Sequence, residues 1–120
     1  MKTSLIIDNA ERAAENGATF ERHHPITGEL VTTGAAASVN DALAAAESAA
    51  KAFASWSTTG PSVRRAILLK AADLLESKLP EFVKTMAAEV GASELWATFN
   101  VRGSAALFRE AAGLATQIQG

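Results

Sequence analysis

The chain has 120 residues, of which 48% are hydrophobic and 20% charged, with a formal net charge of -2 and no cysteine. That length allows one domain with a real core but is short for a complete cofactor-using enzyme, and the composition argues against disorder. The near-neutral charge gives no electrostatic basis for binding nucleic acid or an anionic membrane, and the lack of cysteine excludes disulfides, thiolate metal sites and thiol nucleophiles within these residues.

No apolar run approaches the ~20 residues needed to span a bilayer, and Lys2 is not followed by an uninterrupted apolar segment. A soluble, cytoplasmic protein is the expectation. Ser4 to Ile7 reads as a short strand broken by Asp8 and Asn9, and Glu15-Asn16-Gly17 supplies a turn before a second strand over Ala18 to Arg22. Pro25-Ile26-Thr27-Gly28 is another turn, followed by β-branched residues in Glu29 to Thr33. Residues 4–33 therefore predict a small antiparallel meander with too few large apolar side chains to stand alone. His23-His24 invites a metal-site reading. Successive residues on a strand point to opposite faces, however, which works against it.

From Ser38 the pattern takes a helical period, and Ser38-Val39-Asn40-Asp41 resembles a capping box with Asp in place of Glu. Ala42, Ala46, Ala49 and Phe53 line one side of this helix, Glu47 and Lys51 form an i, i+4 pair on the other, and Trp56 ends it as a hydrophobic lid. Pro61 suits a first helical position. In the helix it opens, Val63, Ile67, Ala71 and Leu74 share a face flanked by Leu68 and Leu75, whereas Arg65, Ala72 and Glu76 point away. Leu69 lies almost opposite that face, which predicts neighbours on two sides. Arg64 falls inside the apolar arc, where its guanidinium must reach water or a carboxylate, and a structural ion pair is favoured over a catalytic role.

Pro80 predicts a break near Lys78. Glu81 to Glu89 resumes as a short helix burying Phe82, Val83, Met86 and Val90, with Gly91 left-handed at its end. If Phe82 is fully buried, its truncation to Ala should cost ~3–5 kcal/mol. Ser93 caps a last helix running through Leu95, Trp96, Phe99, Val101, Leu107, Phe108, Leu114 and Ile118, whose apolar residues circle most of the axis. A terminal helix apolar on several faces needs more protein around it than 120 residues provide.

Pro25-Ile26-Thr27-Gly28-Glu29, Ala50, Phe53, Trp56, Arg64, Leu68, Lys70, Ala72-Asp73-Leu74-Leu75-Glu76 and Glu89-Val90-Gly91 together resemble the amino-terminal part of the aldehyde dehydrogenase superfamily. The likeness covers about Phe20 to Gly120, and its motifs are structural. Ala92 stands where that family usually has lysine. This departure, with Met86 to Ser93, Leu95-Trp96-Ala97, Phe99-Asn100-Val101 and Phe108 to Ala112, resembles the branch acting on aromatic aldehydes such as salicylaldehyde.

The resemblance implies an α/β enzyme that oxidises an aromatic aldehyde to its acid with NAD, as a cytoplasmic homodimer. In that family a cysteine thiolate attacks the aldehyde, an amide and an asparagine hold the oxyanion, and a glutamate-activated water hydrolyses the thioester. Those groups and the glycine-rich cofactor segment are expected beyond Gly120, so these residues alone should catalyse nothing and hold no cofactor. Residues 1–36 would be the meander and 37–120 the helical layer of the NAD-binding domain. In the family the last helix borders the aldehyde tunnel. That makes Trp96, Phe99 and Asn100 the candidate substrate-binding residues. Trp96 serves equally as interior packing, and Gly103 is read as permitting close helix packing. The competing reading is a free-standing helical interaction module docking through its last helix.

Overall fold

A computed structural model of the chain describes residues 1–117. It contains the strands β1 (Lys2–Thr3), β2 (Leu5–Ile7), β3 (Ala10–Arg12), β4 (Thr19–His23) and β5 (Leu30–Ala35), then the helices α1 (Val39–Trp56), α2 (Pro61–Ser77), α3 (Leu79–Val90) and α4 (Glu94–Leu114). Two compact units divide between Thr58 and Thr59, so α1 belongs with the strands and the other helices form the second unit.

In the first unit the strands make two sheets, not one meander. β5 is central, with β4 antiparallel on one side and β1 parallel on the other (Lys2 opposite Thr33), while β2 and β3 pair separately. Asp8 and Asn9, expected to break the strand, instead turn the β2–β3 hairpin. Both have φ of 57°, the positive values a type I′ turn demands and short polar side chains tolerate. Gly34 on β5 is required by contact: a Cβ there would lie 2.6 Å from the Phe20 ring.

Helix α1 starts as its sequence predicts. Ser38 Oγ accepts from the Asp41 amide at 3.1 Å, and Asp41 accepts from the Ser38 amide at 2.8 Å, a complete capping box. Its expected apolar side is not covered: none of its residues is buried, and Phe53 is 64% exposed.

In the second unit α4 packs on α2 and α3. Pro61 occupies the first turn of α2, Gly91 ends α3 at φ 67°, and Ser93 Oγ accepts from the Trp96 amide. The packed face of α2 differs from the expected one. Ala72, read as pointing away, is fully buried, and Val63, Ile67 and Leu74 are about half exposed. On α4 the buried side chains are Ala97, Val101, Ala105 and Ala112. Small residues let the helix backbones approach closely, and that approach decides which face of α2 is covered. The larger apolar face stays about half exposed. Similarly, Phe82 is 38% and Val90 60% exposed, so the burial expected of α3 is not achieved among these residues. Helix α4 ends at Leu114, and Ile118 lies outside the described residues.

Candidate functional site

The first two turns of α4 project two aromatic rings. Trp96 and Phe99, three residues apart and thus neighbours on a helix surface, stack with centroids 5.5 Å apart and planes 22° from parallel. They are 57% and 63% exposed. With Ser93 and Leu95 they line an open, mainly apolar groove of about 450 Å³. The buried α4 side chains begin at Ala97, next in sequence to Trp96, so the helix turns its aromatic pair away from its packed side.

Asn100 sits one turn beyond Trp96, but its Nδ2 donates to the Trp96 carbonyl at 2.8 Å. That bond directs the amide along its own helix, while the two rings form the wall. Ser93 and Leu95 were not singled out from the sequence as walls, since one reads as a cap and the other as part of a diffuse apolar face. A side chain at Gly103 would meet nothing within 4 Å, which corrects its reading as a close-packing glycine.

The other candidate side chains serve the fold. His24 Nδ1 accepts from the amides of Ile26 and Thr27, both at 3.2 Å, which closes the turn before β5. His23 Nε2 instead lies 3.5 Å from Glu21. Among the described residues no three His, Cys, Asp or Glu side chains converge to hold a metal. Arg64 Nε donates to the Thr59 carbonyl at 2.9 Å. Arg109 on α4 forms an ion pair with α2, gripping Glu76 through both terminal nitrogens (3.1 and 2.7 Å) and Asp73 through one (3.1 Å). This donation holds the Glu76 carboxyl below its ordinary range and raises the Arg109 guanidinium. No described helix is long and apolar enough to cross a membrane.

The family model described as the aldehyde dehydrogenase family matches residues 12–120. The chain belongs to the aldehyde dehydrogenase family. A salicylaldehyde dehydrogenase of Pseudomonas putida is 57% identical over 120 residues, all of this chain and 25% of that relative. The crystal structure of a salicylaldehyde dehydrogenase from Pseudomonas putida, complexed with salicylaldehyde, superposes with a TM-score of 0.97 at 56% identity, covering 99% of this chain and 25% of that one. An NAD-dependent aldehyde dehydrogenase from Sinorhizobium meliloti superposes with a TM-score of 0.95 at 29% identity, over 100% of this chain and 24% of its own. The strand set and four helices are thus a portion of the aldehyde dehydrogenase α/β fold, and the chain spans about a quarter of the length of the curated relatives it matches.

Proposed function

We propose that these residues are the amino-terminal part of an NAD-dependent aldehyde dehydrogenase that oxidises an aromatic aldehyde to its carboxylic acid, and that Trp96 and Phe99 form one wall of its substrate pocket. The observation that carries this reading is the stacked, exposed ring pair at the start of α4, in a chain 57% identical to a salicylaldehyde dehydrogenase. A planar substrate ring laid against such a pair gains ~0.5–1.5 kcal/mol beyond its area burial, and an aliphatic chain gains only the area term. Asn100 supports the wall by fixing the backbone at Trp96.

These residues supply shape and not chemistry. With no cysteine and no glycine-rich phosphate cradle on the chain, the nucleophile, the hydride-accepting NAD and the hydrolytic base belong to the longer polypeptide. Residues 1–36 then form its opening strands and 37–120 the helical layer of its NAD-binding domain, in a cytoplasmic homodimer.

In the full-length enzyme, Trp96→Ala is expected to lower kcat/KM for an aromatic aldehyde about 2- to 13-fold more than for an aliphatic one, the stacking energy expressed as a rate ratio. Equal losses for the two substrates would defeat the pocket assignment.

A further inference from the structure

The turn at Glu15-Asn16-Gly17, in the loop between β3 and β4, carries a reactive dipeptide. Of the four asparagines in the chain, Asn16 alone is followed by glycine, and both residues are exposed. A backbone amide can attack the side-chain carbonyl of the asparagine before it, and glycine, with no side chain, obstructs that approach least. A bond forms between the Gly17 nitrogen and Asn16 Cγ while the Cγ–Nδ2 bond breaks, and ammonia leaves with the Gly17 proton. Water then opens the resulting five-membered imide to aspartate, or to isoaspartate, in which the chain runs through the side-chain carboxyl. Nothing is oxidised or reduced.

The folded loop holds both reacting groups in other bonds. The Gly17 amide donates to the Ala14 carbonyl at 2.8 Å, so its proton is retained and its N–H is aimed at Ala14. Asn16 Oδ1 accepts from the Ala18 amide at 2.9 Å, which fixes the side chain over its own backbone. The turn is also clamped at its ends. Ala14 is buried, the Glu15 amide next to it donates to the Asp41 carboxylate at 3.1 and 3.2 Å, and the Ala18 carbonyl accepts from the Ala36 amide at 2.9 Å. Freeing the Gly17 nitrogen therefore requires a local opening of this loop.

We infer that Asn16 is a deamidation site gated by conformation: it is spared while the turn is closed and converted when the turn opens, and Asp41, through the Glu15 amide, sets how often that happens. The aspartate product keeps an oxygen for the Ala18 amide. The isoaspartate product cannot close the same turn, because an extra backbone carbon separates residues 16 and 17. Modification thus makes an opening permanent and weakens the tie between this loop and the start of α1.

The test ages the full-length enzyme in warm, mildly alkaline buffer and follows conversion at each asparagine by peptide mass spectrometry, in wild type, in Asp41→Ala and in the urea-denatured protein. Conversion at Asn16 is expected to be fastest in the denatured chain and slowest in folded wild type. Asp41→Ala should speed the folded reaction about 2- to 13-fold, the effect of one net hydrogen bond on an opening equilibrium, while Asn9 and Asn100 keep their wild-type rates. Should Asp41→Ala fail to fold, Asp41→Asn, which keeps a capping oxygen without the charge, carries the same direction of change. Equal rates at Asn16 in folded and denatured wild type would overturn the gating. An Asp41 variant that ages like wild type would remove the link through Glu15, and one that speeds every asparagine alike would signal general loosening; either result overturns the inference. A denatured chain in which Asn16 converts no faster than Asn9 would overturn the site itself.

Discussion

Asp41 does two things with one carboxylate. It closes the capping box on Ser38, and it accepts the Glu15 amide at 3.1 and 3.2 Å, which ties the loop after β3 to the start of α1. Glu15 answers from its own side chain, accepting from Ser38 Oγ at 3.2 Å and from Asn40 Nδ2 at 3.0 Å. The Ser38 amide, and then the Glu15 amide, hold the Asp41 carboxyl below its ordinary value of 3.8. A carboxyl lowered in the folded state stabilises above its unfolded pKa and loses that contribution as pH falls through the lower folded value. In the full-length enzyme, the Ser38 and Glu15 amides should therefore stay protected from hydrogen exchange between pH 7 and 5 and lose protection below 3.8. Asp41→Ala should remove that protection at every pH, and Ser38→Ala should cost ~0.5–2 kcal/mol as a lost cap. Undiminished protection of both amides in Asp41→Ala would contradict the shared-acceptor account.

Helix boundaries were the most legible features of the sequence, because each is set by a local signal: the Ser38 box, Pro61 at the start of α2, Pro80 in the first turn of α3, Gly91 after it and the Ser93 cap. The aromatic pair at Trp96 and Phe99 was legible for the same reason, since an i, i+3 spacing is local. Burial was less so, because it depends on partners distant in sequence. The α2 pattern pointed to Val63, Ile67 and Leu74 as the covered face, yet α4 presents alanines and takes the Ala72 side. The Asp8-Asn9 hairpin was missed because asparagine and aspartate signal both a strand end and a turn, and only the pairing of β2 with β3 decides between them. The α2–α4 seam makes a sharp prediction at this scale. Ala105 is fully buried and Ala106 exposed, although both are mid-helix alanines that intrinsic propensity cannot separate. Ala105→Leu should force the helices apart at a cost of ~1–3 kcal/mol, whereas Ala106→Leu should stay within ~0.5 kcal/mol, as read from the unfolding midpoint of the full-length enzyme. Comparable losses at the two positions would show that the seam is not close-packed.

The balance of covered and uncovered surface concerns the molecule as a whole. The accessible area is 8630 Å² for 12.5 kDa. Folded monomers follow a size law that gives about 7,400 Å² even for two separate compact bodies of half that mass each, so this chain exposes roughly 1,200 Å² more than two independent domains would. Large apolar side chains are among those exposed. Phe53, Trp56, Leu95, Trp96, Phe99 and Leu107 are each between 44% and 82% exposed, while the buried apolar residues named for the core are mostly alanines, with Ile7 and Val101 the largest. A core of that kind recovers little transfer free energy against the entropy of ordering the chain. The proposed reading, a segment of a longer dehydrogenase, accounts for this surface: the relatives are about four times as long, and in such a polypeptide the remainder would lie against these helices. Expressed alone, the chain should therefore bind a hydrophobic dye strongly, melt over a broad range and self-associate at micromolar concentration, while the same residues inside the full-length enzyme should do none of these. A free-standing interaction module predicts the reverse. A sharply melting, dye-silent monomer of the isolated 120 residues would mean that they cover their own apolar surface and would favour the module over the enzyme segment.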